Sequence, residues 1–572
     1  MSIIKKYLLP QKRRLIFGLS MKAIGTIGEL LLPFIMSYII DNVVPLKDMH
    51  GIIFWCVIMI LCAFIAWQMN VIANRNASKV ARNATENIRH DLFEKTLYLS
   101  CEKTDEFTIP SLESRLTTDT YNVHRMIGDI QRMGVRGPII MLGGLCITMI
   151  MEPILSFVFI ATIPFIGILM YLRAFKGMPL FKNIQKVNDR MVSIVRENAQ
   201  GIRVIKALSK TEHERNRYKQ INHQLTKTTI HADQTMAVIN PGMNLFLNLG
   251  LIGVILVGSY RVSLGLSSTG KIIAFMSYFT IMSRSMMAIS RIFIVTSQGM
   301  ASASRINEVL EAESEKDWEK GNFPNGDSKY AIEFKDVTFS YLGVRNNLEH
   351  ISFQLKKGKS LGIIGATGAG KTTIFSLLMH FYHIQKGAIY VDGEDIRNME
   401  PQTLRKKFGI AMQNDFLFRD TIKENILFDR NISEEMINKA IQTAQAQEFI
   451  SSIDKQLDYE LAGKGNNLSG GQKQRVLLSR SFASNPDFLL LDDSSSALDY
   501  QTDAKLRQSI QDNYPDITKI IVAQRISSIM NCDEIIVLEK GRIHAYGTHE
   551  QLLHDPLYSS IYESQMGGAL FD

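Results

Sequence analysis

The sequence predicts a multidomain chain, an all-α domain of six membrane-spanning helices followed by an α/β domain built on a P-loop. Three observations predict it. Long apolar runs fill residues 1–305. The remainder alternates strand-like and helix-like patterns from Tyr330 onward. A glycine-rich loop stands between such a strand and such a helix, over residues 360–378. Mean hydropathy near zero averages the two halves and conceals both.

The apolar stretches cover roughly 15–41, 52–74, 134–152, 154–175, 241–263 and 270–297. Each reaches the roughly 20 residues that a helix needs to cross a bilayer. Links one-to-two, three-to-four and five-to-six are short, whereas 75–133 and 176–240 are long and polar. The first long link carries Arg75, Lys79, Arg82, Arg89, Lys95, Arg125 and Arg132, while the short link Asn42–His50 carries only Lys47. This basic bias places the long links and both termini in the cytoplasm of a multi-pass protein of the cell (inner or plasma) membrane. Helical periodicity continues through the long links, so the helices extend past the bilayer and turn at tips near 105–115 and 200–212.

The net charge of +8 is dispersed over Lys5–Arg14 and the polar links, with no basic patch or stripe, which argues against a nucleic-acid role. Cys56, Cys62, Cys101, Cys146 and Cys532 are scattered without a CxxC pair, so neither a disulfide framework nor a zinc site is expected. The first ten residues lack the apolar core and cleavage site of a signal peptide, and the first span is expected to remain as an anchor. Residues 1–305 thus form the membrane domain. A charged, Gly/Pro-punctuated linker occupies 306–329, including Glu308, Glu311, Gly321, Pro324 and Gly326, and the α/β domain occupies 330–572.

Ser360–Ile364 reads as a buried strand and Thr372-Thr373-Ile374 opens a helix. Between them, Gly365-Ala366-Thr367-Gly368-Ala369-Gly370-Lys371-Thr372 matches GxxxxGK[ST]. Glycines let successive backbone N–H groups wrap a phosphate at a helix N-terminus whose dipole favours anions. Lys371 would reach the β/γ-phosphates of ATP, and the Thr372 hydroxyl would ligate Mg²⁺. Asp492 ends the apolar strand begun at Phe488, where an acid holds Mg²⁺ through its water shell. Tyr341, 24 residues before Gly365, reads either as an adenine-stacking ring or as a core tyrosine.

With Leu468-Ser469-Gly470-Gly471-Gln472 about twenty residues before Asp492, the set resembles the ATP-binding-cassette (ABC) superfamily. The resemblance implies two such domains sandwiching two ATP molecules, each touching the glycine loop of one and the Ser469-Gly470-Gly471 loop of the other. Gln413 matches the family's Q-loop, which ligates Mg²⁺ and links the site to the membrane part, and Ser496-Ala497-Leu498-Asp499 matches its D-loop. Six spans fused to one ATPase look like an exporter-type half-transporter. Phe107…Asp119 and Glu197–Lys206 resemble its cytoplasmic links, whose tips would dock on the ATPase domains and transmit closure.

Two positions depart from the family pattern. Asp493 stands where the resemblance implies a Glu that polarises the attacking water, so its carboxylate sits on the order of 1 Å too far back. Gln524 stands where a His would contact the γ-phosphate; it can donate a hydrogen bond but cannot become cationic. Both changes in one site imply slow hydrolysis beside an intact signature loop, which fits the degenerate-site subunit of a heterodimeric, multidrug-type exporter. A slow homodimer is the alternative, as is an ATP-gated channel or regulator. In the membrane part, Glu29 and Arg284 interrupt apolar stretches. Such ionisable residues are candidates for cargo contact. Glu29 also reads as an interfacial or bundle-paired acid, and Arg284 as a residue facing a water-filled cavity or a partner-chain acid. The cargo expected is an amphipathic small molecule, lipid or peptide.

Overall fold

A computed structural model describes residues 2–315, 318, 321–341, 343, 345–413, 416–494 and 496–566. The chain divides into two compact units, Met1–Glu94 with Pro110–Glu311, and Lys95–Ile109 with Ala312–Asp572.

Among the described residues, six helical stretches are long and apolar enough to cross a membrane: Ile4–Leu46, Met49–Leu97, Ile109–Met151, Pro153–Gln200, Thr211–Ser263 and Thr269–Glu311. At 43 to 53 residues they are roughly 65–80 Å long, about twice the ~30 Å hydrocarbon core. Pro33, Pro164 and Pro179 lie inside α-helices that stay continuous, as neighbouring helices allow in a bundle, whereas the fifth stretch is interrupted by a turn at Val238, shortly before Pro241. The first short link closes at Lys47, in the left-handed region (φ +52°), and the last at Gly265 (φ +70°).

The second helix turns earlier than periodicity predicts. Ser100 accepts from the Lys103 N–H and starts the short helix Cys101–Phe107, and Thr108 (φ +63°) breaks it. Pro110 then lies in the first turn of the next helix, where its missing N–H costs nothing. The other tip comprises Ile202–Ala207, between Gly201 and Thr211.

Within the membrane unit, polar side chains fix helix register. Tyr278 Oη donates to the Leu30 carbonyl at 2.6 Å. Asp41 accepts from Ser268 Oγ at 2.6 Å and from the Gly270 N–H at 2.7 Å. One acid from the first span thus satisfies an orphan donor at the start of the sixth. Buried Asp119 accepts from Ser302 Oγ at 2.8 Å and Arg305 Nε at 2.9 Å.

The second unit carries two sheets. Strands β1 (Tyr330–Phe339), β2 (Leu348–Lys356), β4 (Lys386–Val391) and β5 (Glu394–Asp395) make an antiparallel sheet in the order β2-β1-β4-β5. The other sheet has the order β10-β9-β3-β8-β7-β6, with β3 (Ser360–Gly365), β6 (Phe408–Ala411), β7 (Phe488–Asp492), β8 (Thr518–Val522), β9 (Glu534–Glu539) and β10 (Arg542–Gly547). Pairs β9/β3, β3/β8, β8/β7 and β7/β6 are parallel. Buried runs such as Phe488-Leu489-Leu490-Leu491 are the signature of a parallel sheet covered on both faces. A helical lobe, Ile422–Leu427, Glu434–Thr443, Gln447–Ser452 and Gly470–Ala483, packs its own apolar core around Ile426, Ile441 and Leu478. The C-terminal ends of neighbouring β3, β7 and β8 deliver Gly365, Asp492 and Val522 to one edge, where ligands bind in such sheets.

Candidate functional site

The phosphate loop forms because two glycines sit where a side chain would be strained. Gly368 (φ +83°) and Gly370 (φ +103°) are left-handed, a region glycine enters without steric cost. A Cβ on Gly370 would also lie 2.6 Å from Leu348 Cδ2, and one on Gly365 would lie 2.2 Å from the Leu538 carbonyl oxygen. Ala366 and Ala369 close the turn through an N–H···O bond of 3.1 Å. The helix Lys371–Leu378 follows, its N-terminus facing a cavity of about 250 Å³. Thr367, Gly368, Gly370, Lys371, Thr372 and Thr373 line one side; Gln413, Asp492, Asp493 and Gln524 line the other. Widely separated motifs therefore converge on a single concavity. Asn347 and Val522 complete the lining; Val522 ends the strand that leads to Gln524, whereas no motif marks Asn347.

Lys371 Nζ donates to the carbonyls of Gly365 (2.8 Å) and Ala366 (3.1 Å). Burial pushes its pKa down, opposed by the charges of Asp492 and Asp493. Burial likewise pushes Asp492 up, opposed by a hydrogen bond from Thr372 Oγ1 at 2.8 Å. These two oxygens suit Mg²⁺. Mg²⁺ takes hard oxygen donors and keeps several of its waters, so Thr372 Oγ1 would be a direct ligand while Asp492 would hold a water of the shell.

Asp493 lies just past β7 with φ +48°, a conformation aspartate tolerates better than most residues. Its Oδ2 accepts from Gln524 Nε2 at 3.0 Å and Gln413 Nε2 at 3.2 Å. Tyr341 stands beside the cavity, with Oη 3.3 Å from Thr373 Oγ1 and its ring edge-on to Phe339 and Tyr382. It remains 38% exposed, between the core and the site.

The signature loop lies outside this cavity. Ser469 caps the helix Gly470–Ala483 in a reciprocal box, with the Gln472 N–H donating to Ser469 Oγ and the Ser469 N–H to Gln472 Oε1. Gly470 faces a separate concavity with Lys473, Gln474 and Ala497, and a Cβ on Gly471 would lie 3.1 Å from the Ala497 carbonyl oxygen. Gln474, which no sequence signal singled out, donates to the Asp493 carbonyl at 3.2 Å and accepts from the Ala497 N–H at 3.0 Å.

In the membrane unit, Glu29 and Arg284 line a cavity of about 430 Å³. They share it with Arg136, whose Nη2 is 2.7 Å from Glu29 Oε2. Asn70 Nδ2 holds the other Glu29 oxygen at 3.1 Å, and Lys22 Nζ donates to Asn70 Oδ1 at 2.8 Å. Arg136 was missed in the sequence because it stands near the start of its apolar stretch, where an arginine is unremarkable. Only the packing of the first, third and sixth spans puts it opposite Arg284.

Comparisons with known proteins agree with both units. Residues 15–286 match the ABC transporter transmembrane region family and residues 348–496 the ABC transporter family. The chain is 33% identical over 570 residues to the uncharacterized ABC transporter ATP-binding protein YfiB of Bacillus subtilis, covering 99% of this chain and 98% of that one. It is 30% identical over 492 residues to the ATP-dependent lipid A-core flippase of Methylobacillus flagellatus, covering 85% and 83%. The fold is shared with a bacterial Atm1-family ABC exporter with ATP bound, at TM-score 0.83 and 23% identity over 97% and 98% of the two chains. With six spans, a P-loop ATPase and full-length relatives of the same build, the chain belongs to the ABC transporter family, as a half-transporter with an exporter-type fold.

Proposed function

We propose that this chain is one subunit of a heterodimeric exporter and carries the ATP site that hydrolyses slowly, while its Ser469-Gly470-Gly471 loop completes a competent site on a partner. ABC exporters act as dimers and couple ATP hydrolysis to transport; the assignment of roles between the two chains is the proposal. The observation that carries it is the environment of Asp493. Its Oδ2 already accepts two glutamine amides, and an oxygen engaged by two donors is a poor acceptor for a proton from water. Gln524 itself supplies no positive charge as the transition state develops. In the same chain Ser469 is well ordered by its capping box, which supports a working signature loop.

In this reading the loop Gly365–Gly370 with Lys371 and Thr373 cradles the phosphates, and Tyr341 flanks the adenine. Thr372, Gln413 and Asp492 would hold Mg²⁺, which would shield the phosphate charge. The basic bias of the long links supports a cytoplasmic ATPase unit and cytoplasmic termini. Cargo, an amphipathic small molecule, lipid or peptide, enters the membrane cavity at Glu29 and Arg284. The relative named as a lipid A-core flippase supports a lipid-like cargo.

The test is the Mg²⁺-dependent ATPase rate in lipid of this chain alone and of this chain with the half-transporter that co-purifies with it. Strong activity confined to the pair is the expected result. Equal activity of the chain alone would establish a homodimer in which Asp493 and Gln524 suffice.

A further inference from the structure

We propose that the membrane cavity between the first, third and sixth spans takes the anionic headgroup of an amphiphile, a phosphate or carboxylate on an apolar tail. This rests on the exporter reading and specifies its cargo class. The argument is one of charge. Glu29 is the sole acid lining the cavity among the described residues, and both its oxygens are engaged, one by Arg136 and one by Asn70. Arg136 is thereby neutralised, and Lys22, buried one step further along, adds a positive charge to the same chain of bonds. Arg284 has no ion-pair or hydrogen-bond partner among the described residues. The surplus at the cavity is therefore positive, and its one uncommitted charged group is a guanidinium, which matches a phosphate or carboxylate in two parallel hydrogen bonds.

Depth and lining supply the rest of the ligand. Arg284 lies fifteen residues from Thr269 and Arg136 fifteen from Met151, which puts both roughly 22 Å from the ends formed by the short links. In a ~30 Å hydrocarbon core this is the half toward the long basic links. Around the charged groups the wall is apolar, with Leu32, Pro33, Ile140 and Ile281. A volume of about 430 Å³ holds a headgroup and the first part of a tail. An inorganic anion would leave this wall wetted. A cation would meet Arg284 with no free acid to balance it.

The experiment is nucleotide-free equilibrium binding to the full chain, with its co-purifying half-transporter, in neutral phosphatidylcholine nanodiscs. The probes are dodecyl phosphate, dodecyltrimethylammonium and inorganic phosphate. Dodecyl phosphate is expected to bind, with inorganic phosphate at least about tenfold weaker because the apolar contacts are lost. R284Q should weaken dodecyl phosphate about tenfold or more, and R284K should recover part of that loss. E29Q frees Arg136 and should tighten dodecyl phosphate. Preferential binding of dodecyltrimethylammonium, abolished by E29Q, would overturn the anionic class and leave the exporter reading intact. Inorganic phosphate binding as tightly as dodecyl phosphate would overturn the amphiphile. Binding of neither amphiphile would sink the class together with the cargo role of this cavity. Because nucleotide is absent, none of these outcomes depends on which chain hydrolyses ATP.

Discussion

Gln524 Nε2 donates to Asp493 Oδ2 across 3.0 Å, so the residue expected to contact a γ-phosphate instead turns toward the carboxylate expected to activate water. Gln413 reaches the same oxygen. An imidazole in place of Gln524 carries one donor and one acceptor nitrogen when neutral and becomes cationic when protonated. The two departures from the family pattern are thus one coupled feature.

Restoring both residues, Asp493→Glu with Gln524→His, should raise hydrolysis in this chain's own site by about 10²-fold. The rate is to be read in a pair whose partner lacks its own P-loop lysine. Glutamate at φ +48° carries a backbone penalty of about 1 kcal/mol, so a slightly lower Tm should accompany the gain. An unchanged rate would show that the carboxylate geometry is not what limits this site.

Lys371→Ala and Ser469→Ala should separate the two roles proposed for the chain. The first should reduce ATP photolabelling of this chain while sparing most turnover of the pair. The second should lower turnover of the pair by about 10²-fold and leave photolabelling of this chain intact. Because Ser469 also caps its helix, Ser469→Asn, which retains a capping oxygen, distinguishes loss of the nucleotide contact from fraying. Equal, small effects of Lys371→Ala and Ser469→Ala on turnover would count against the asymmetric arrangement.

Burial pushes His380 from its usual 6.5 down to about 3, with the nearby His383 and Arg405 adding to the effect. The unfolded chain therefore binds a proton that the folded chain refuses. Stability from this group is complete above pH 6.5 and is lost as pH falls toward 3, by about 2 kcal/mol at pH 5. Trp318 packs tilted against His380 and His383, at centroid distances of 4.7 and 4.3 Å, and reports locally. Its fluorescence in a W55F/W67F background should show an acid-side melting shift that His380→Gln removes. A shift of equal size in that variant would assign the acid lability elsewhere.

Asp119→Ala should destabilise the membrane unit by about 2 kcal/mol, because Asp119 is the buried acceptor for both Ser302 and Arg305. Asp119→Asn keeps an acceptor oxygen and should fall between that variant and the parent. Thermal unfolding in detergent gives the order. An Asn variant as unstable as the Ala variant would show that charge, and not hydrogen bonding, is what Arg305 requires.

What could be read from the sequence follows the range of the interaction that creates it. The phosphate loop is local: its glycines, Lys371 and Thr372 are adjacent, and strand β3 and the following helix are fixed by short-range pattern. Asp492 was legible because an apolar strand ending in an acid is itself a motif. Arg136, Asn70, Gln474 and Asn347 were not, since each matters through a partner 19 to 107 residues away or through a cavity. The tip at Ser100–Thr108 lies a few residues before the 105–115 expected, because a serine cap and a left-handed threonine leave no mark on hydrophobic periodicity, which resumes at Ile109.

Gln474 ties the Asp493 carbonyl to the Ala497 N–H from the first turns of the helix that begins at the signature loop. One amide therefore serves as a strut between the floor of this chain's nucleotide cavity and the loop it offers to a partner. Any nucleotide-driven shift at Asp493 pulls on that helix directly. In the heterodimer proposed above, a site that turns over slowly still acts as a clutch, setting by its occupancy whether the neighbouring engine is engaged.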